Sequence, residues 1–395
     1  MPRVAVTAAI VAIVLASFGG TSSAGEVRAH GLLDLAVPER SDGLSDNLST
    51  WGDSPLDAYG LHLFVNGELS PTIQVFTQLT FNDASKVRAD GAYAVFTPWS
   101  ARDLHLLAGK LPWPIGTWAP RAYSNKNPLV GTPLMYQHHT SLVWYAIPPD
   151  ADGLLAAAGT GQTGVLDYGG GGFTMGPGMA VVDDSWWDFG VVVNGSVRPL
   201  EFALGATNGS PGWGDPAIDE NDGKSVLGRI GIAATPGVTA GVSASYGPYL
   251  NSGVDPSLPP GKNTGDYHQR LGMADLAIEA GHAEIRSEAF INVWETPTVG
   301  DLRVHGGYME AKLTVAAGLY LAARGDAMRH SKLTDSSGAS LPWDLDRDRL
   351  EAGAGYRIDR GTTVKVVYQR HIELERGGQP RHSVGLVAAQ LSLAF

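Results

Sequence analysis

Two populations of connection alternate along this 395-residue chain, and that alternation restricts the fold more than any single segment does. Tight links, "VNGELSP", "VNGSVRP", "ATPGVT", "EAGHA", "VAAGL" and "IDRGT", alternate with longer polar or Gly/Pro/Asp-rich stretches at about 38–56, 111–136, 163–186, 208–224, 248–265 and 326–347. Between them run segments of about ten residues in which polarity changes at every second place. In "VRPLEFALGATNGS", Leu200, Phe202, Leu204 and Ala206 oppose Glu201, Ala203, Gly205 and Thr207. In "RLEAGAGYRI", Leu350, Ala352, Ala354, Tyr356 and Ile358 oppose Arg349, Glu351, Gly353, Gly355 and Arg357. Side chains on a strand point alternately to opposite faces, so each segment has one apolar and one polar face. Strands joined briefly at one end and at length at the other form an antiparallel meander.

Composition favours a membrane home for that meander. Only 17% of residues are charged, below the roughly 25% of soluble domains, and no cysteine is present. The net charge of -12 argues against nucleic-acid binding, which needs a basic footprint. "MPRVAVTAAIVAIVLASFGGTSSAGE" has Arg3, an apolar run from Val4 to Phe18 and small residues to Ala24, the pattern of a cleaved secretory signal over 1–24. Beyond Gly25 no uninterrupted apolar run reaches the roughly 20 residues of a spanning helix, and no amphipathic helix is evident. In hydrocarbon each unpaired backbone amide costs several kcal/mol, so strands span only as a closed sheet. The expectation for 25–395 is one all-β domain, a transmembrane antiparallel up-and-down β-barrel with short periplasmic turns and long extracellular loops. The count comes to about eighteen strands, the weakest near 153–162 and 185–194; if that pair is loop, the count is sixteen. The closing "VAAQLSLAF" puts Val387, Ala389, Leu391, Leu393 and Phe395 on one face, as expected of a last strand that pairs with the first.

A barrel of that size is too wide for side chains to fill and encloses water unless something plugs it. The sequence shows no plug of any size. Alternation assigns to the lumen Gln74, Gln78, His105, Glu201, Arg229, Asp275, Glu279, Glu284, Arg286, Glu288, Glu310, Lys312, Arg324, Arg349, Glu351, Arg357, Lys365 and Gln369. Trp99, Trp186, Trp187 and Trp294 lie near predicted strand ends, where an interfacial girdle is expected.

"LLAGKLPWPIG", "NPLVGTPLMYQ", "RSEAFINVW", "GYMEAKLTV", "DRLEAGAGYRI" and "LSLAF" carry a resemblance to the outer-membrane porin superfamily, in particular to the phosphate-selective porin O and P family and its uncharacterised relatives. The resemblance covers most of the mature chain with motifs that are loosely specific. It implies a passive diffusion pore in the bacterial outer membrane, surrounded by lipid and lipopolysaccharide, inserted by the assembly machinery that recognises the terminal Leu391, Leu393 and Phe395, and in many such porins trimeric. The phosphate-selective members rely on an arginine ladder and a lysine cluster. Here inward bases are matched about one for one by inward acids, which suits general small polar solutes better than phosphate. General porins also imply a third loop folded into the lumen. Residues 111–136, with Pro112, Pro114 and Pro120 holding its course, are that candidate. Lys110, Arg121 and Lys126 would then oppose wall acids such as Glu284, Glu288 and Glu310.

Catalysis finds no support in the residues. His138 and His139 in "YQHHT" would point to opposite faces of a strand, and no nucleophile elbow is present. In "GDPAIDENDGKS", Asp215, Asp219, Asn221 and Asp222 crowd oxygen ligands, but the spacing misses the calcium-loop register by one place. No cofactor is expected. A barrel serving as a sheath for a periplasmic partner is the alternative from another class, and a hydrolase the least favoured.

Overall fold

The computed structural model describes residues 25–39, 58–83, 86–99, 101–161, 187–213, 223–374 and 382–395, with 165–166, 168, 174–175, 177–183, 219 and 221. The expected signal 1–24 lies outside them, as do Trp186, Asp215 and Asp222.

Sixteen antiparallel strands close into one barrel. They are β1 (Val27–Glu39), β2 (Ala58–Ser70), β3 (Ile73–Asp83), β4 (Lys86–Phe96), β5 (Leu104–Pro112), β6 (Trp187–Val197), β7 (Leu200–Thr207) and β8 (Ser225–Thr235). The second half is β9 (Val238–Pro248), β10 (His268–Ala280), β11 (Ala283–Thr296), β12 (Gly300–Ala316), β13 (Leu319–His330), β14 (Arg347–Arg357), β15 (Thr362–Glu373) and β16 (His382–Ala394). Each strand pairs with its chain neighbours, and β16 returns to β1 in register from Leu32↔Ala394 to Glu39↔Val387. The barrel sheet keeps no edge to be paired, as the energetics of backbone amides in hydrocarbon require.

The count is sixteen rather than eighteen for a specific reason. Neither of the two strands expected between the loops at 111–136 and 163–186 forms: after a short helix, Leu134–Gln137, the chain to Asp150 is irregular, and in place of a strand at 153–162 lies a short helix, Ala151–Ala156, capped by the Asp150 side chain accepting from Gly153 N at 2.8 Å. The region at 185–194, by contrast, contributes most of β6. The two loops expected at 111–136 and 163–186 are therefore one connection of about 75 residues between β5 and β6, called L3 below.

Burial along the strands is inverted relative to a water-soluble sheet. Met309 is 64% exposed while its neighbour Glu310 is 2%; Leu350 is 58% exposed while Arg349 is 0%. Such an outer wall is stable only against lipid, and the charged groups occupy the interior. Phe395 closes the seam: its N–H and C=O bond to Gly31 at 3.0 and 2.7 Å, and its ring lies over Gly31, so close that a Cβ there would meet it at 2.4 Å.

Candidate channel and constriction loop

L3 does not lie on the surface. Its first part follows the inner wall at mid-height, and one polar contact after another fastens it from β9 round through the seam to β3. Gly116 N donates to Ser243 Oγ on β9 at 3.0 Å. Thr117 donates to Glu288 Oε1 on β11 through its N–H and, at 2.7 Å, its hydroxyl; Tyr136 OH donates to Glu288 Oε2 at 2.5 Å. Arg121 pairs with Glu310 on β12. On β14, Glu351 Oε1 accepts from Val130 N and Gly131 N at 3.1 and 2.9 Å, and Arg349 donates to Thr132 O. On β13, Asp326 accepts from Leu134 N at 2.9 Å and Arg324 donates to Gly131 O at 2.7 Å. Ser124 bonds Asp34 on β1 and, at 2.7 Å, Ser392 on β16; Tyr123 OH donates to Gln78 on β3 at 2.5 Å.

Lys365 on β15 is the densest of these fasteners. Its ammonium donates to the carbonyls of Ser124, Asn127 and Leu129 at 2.8, 3.0 and 2.9 Å, and the side chain is fully enclosed. Three carbonyls converge there because the chain curls around Nζ. Gly131 lets L3 approach closely: a Cβ at that position would stand 2.3 Å from Gln369 Nε2 and 2.7 Å from Glu351 Oε2.

The rest of L3 is a plug, contrary to the expectation that none exists. Trp118, Leu134, Met135, Leu142, Trp144 and Leu154 form a buried core with Leu271, Phe290, Trp294, Val304 and Trp343 from the wall and the loop after β13. Full burial of each such side chain is worth about 1.5–3 kcal/mol, which is what holds an irregular segment inside a barrel. Trp294 thus belongs to this core, edge-on to Trp343 at 6.0 Å, and not to an interfacial girdle. Trp99 is exposed at the short-turn end, and Trp187 is buried against Tyr93. Over the plug, Asp344 accepts from Ser141 N at 2.6 Å and Gly159 N at 2.7 Å, joining the loop after β13 to L3. Burial alone would raise this carboxyl, but the nearby His330 and His138 and the backbone N–H groups of Ser141 and Leu345 hold it below its usual value. His138 and His139 are buried in L3 rather than placed at a strand rim; His139 Nδ1 and Gly178 O are 2.6 Å apart.

The expected opposition of loop bases to wall acids is largely taken up by direct pairing. Of the three loop bases, Arg121 touches a wall acid, and Lys126 is exposed. Lys110 is misplaced by the loop reading, since it lies on β5, where alternation from His105 sets it on the opposite face. It stands level with Ala92 and Phe189, both on the exposed outer face, and donates to Ala89 O at 3.3 Å. Gly109 interrupts the strand there with a φ of 129°, a backbone that disfavours side chains. Of the wall acids, Glu284 pairs with Lys312 at 2.8 Å, and Arg286 pairs with Glu279. Arg324 is shared among Glu310, Asp326 and Glu351, and Arg229 between Asp275 and Glu201. Arg357 is exposed at the short-turn end of β14. In the acidic loop, Asp219 pairs with Lys224, and Asn221 donates to Leu250 O at 3.0 Å. Among the described residues no cluster of metal-ligating side chains is found.

What L3 leaves open is eccentric. A cavity of about 640 Å³ lies between its first turn and β4 to β8, bordered by Tyr93, His105, Tyr123, Asn194, Glu201 and Arg229. Alternation had assigned His105, Glu201 and Arg229 to the lumen. Trp113 and Tyr123 were missed, because they sit on the loop. For the plug a signal was available in the stretch from Leu129 to Ile147, rich in apolar residues without a period of two, which marks packed irregular chain rather than a strand.

No family model matches this chain, and no curated protein does. Solved structures do. A loop-L8 deletion form of OmpT, an outer membrane protein of Vibrio cholerae, aligns over 94% of this chain and 100% of its own at 11% identity and a TM-score of 0.57. An anion-selective porin from Comamonas acidovorans aligns over 94% and 99% at 11% identity and 0.55. Salmonella typhi OmpF in complex with daunomycin aligns over 94% and 98% at 12% identity and 0.55. The shared property at such identities is the fold.

Proposed function

We propose that this protein is an outer-membrane porin, a passive water-filled channel for small hydrophilic solutes whose cross-section is set by L3. The observation that carries this reading is a loop fastened inside a closed sixteen-strand barrel, leaving a cavity along one wall. Transport is hindered diffusion, with no chemical step and no coupled energy source, and the protein is read as no enzyme and as needing no cofactor. Similarity in fold to porins supports the location, with lipid and lipopolysaccharide around the wall, the terminal Leu391, Leu393 and Phe395 on its outer face as the assembly signal, and a homotrimer as the assembly.

Selectivity for phosphate is disfavoured, since Arg324, Arg349 and Lys365 are engaged by acids or loop carbonyls and form no free ladder. A sheath for a periplasmic partner would need an open lumen, and L3 occupies it. Single-channel recording of the purified protein in a planar bilayer tests the proposal. Stepwise conductance with weak ion selectivity is expected. A folded protein that conducts nothing refutes it, and a strongly anion-selective current blocked by phosphate restores the specific-channel alternative.

A further inference from the structure

Resting on the channel reading, we infer that the passage carries a stacking track for ring-shaped neutral polyols, of which a pyranose sugar is the type. Inside the barrel, charged and amide groups dominate the wall from β11 to β15. The wall from β1 to β4 differs. There His30 and Phe64 stack at 5.0 Å and 15°, and Phe76 and Tyr93 stack at 5.3 Å and 14°. Tyr123 from L3 stands edge-on to both Phe64 (5.4 Å) and His62 (5.8 Å). Tyr93 continues to Trp187 at 6.4 Å, and Tyr93, Tyr123 and Trp187 all border the open cavity.

These rings are on the inner face by register, since Phe64 pairs with His30 and Gln78, and Gln78 with Gly91, two residues before Tyr93. An interfacial girdle would require the outer face, so it does not account for them. Nor are they packed away: His62, Phe64, Phe76, Tyr93 and Tyr123 are each partly exposed, unlike the fully enclosed core under L3. A water-facing row of rings is an unsatisfied apolar surface. Acceptors flank it. Glu201 and Asn194 border the same cavity. Flat apolar faces beside carboxylate and amide acceptors match a solute with a C–H face and a hydroxylated edge. The local charge favours a neutral one: Arg229 is shared by two acids, Asp275 and Glu201, which repel an added carboxylate.

The test records single-channel current in potassium chloride with maltotriose, and with mannitol as an acyclic polyol that offers hydroxyls without a ring face. Maltotriose is expected to reduce the current in a saturable way, and mannitol to act only through viscosity. Phe64→Leu keeps an apolar group and removes the ring; block should weaken on the order of three- to tenfold with ionic conductance retained. Phe76→Leu is the second variant if the first fails to fold. Equal effects of the two solutes, or block unchanged in the variants, would overturn the track. Ion current without sugar block therefore rejects this inference alone, whereas absence of ion current rejects the channel beneath it.

Discussion

Removing the Lys365 ammonium should release the tip of L3 while leaving the barrel closed. In Lys365→Met the carbonyls of Ser124, Asn127 and Leu129 lose a donor that reaches each within 3.0 Å. Hydrogen bonds to a charged group contribute about 1.5–3 kcal/mol each, and an orphaned buried acceptor costs about 1–3 kcal/mol. Three at the lower bound give about 4.5 kcal/mol. Water entering from the lumen recovers part, so roughly 3 kcal/mol remains, about a hundredfold shift in the ratio of docked to released tip. The barrel seam and strand ladders do not involve Nζ, so heat-modifiable gel mobility should still report a folded barrel. Two readouts follow: single-channel conductance should rise and become noisier, and protease should cut between Ser124 and Gly131 faster than in the parent. A variant with parental conductance and parental protection would refute the reasoning, because the tip would then be held by the remaining contacts, and Lys365 would be dispensable.

Other expectations bear on different parts of the molecule. Gly31→Val should push the Phe395 ring off the β1–β16 seam at a cost of about 1–3 kcal/mol, seen as a lower temperature for loss of the folded gel band. Trp118→Ala should cost the plug about 3–5 kcal/mol and loosen L3 more broadly than Lys365→Met does, read by proteolysis across 113–161. Arg229→Ala leaves Asp275 and Glu201 uncompensated beside the cavity and should move the reversal potential in a salt gradient toward cations, more at low ionic strength; no shift would place the current elsewhere. Asp344 titrates below its unfolded value, so its contribution is present above that value and is lost as pH falls through the folded one. Acid should therefore loosen L3 from the loop after β13, and Asp344→Asn should flatten that acid dependence.

The barrel was legible because it is written in local alternation. Leu350 and Arg349, or Met309 and Glu310, need no distant partner to define their faces; the two-residue period and an environment that forbids unpaired amides suffice. The same holds for the closing strand, whose apolar face at Leu391, Leu393 and Phe395 turns outward beside β1. The reading failed where it did not rest on that period: Lys110 was assigned to the loop although it lies on β5, Trp294 to a girdle although its place on β11 turns it inward, and His138 to a strand although the chain has left the sheet there.

What only the tertiary structure decided is the interior. Whether Leu129 to Ile147 forms a hairpin or a plug depends on apolar residues roughly 145 to 170 positions away, such as Phe290, Trp294 and Val304, which turn inward where L3 meets them. Equally, no local pattern reveals that Lys365 faces three carbonyls of one loop, or that Phe64 and Tyr93 share a lumen wall with Tyr123. Faces are set by neighbours in sequence, but the size and lining of a channel are set by which faces meet across it.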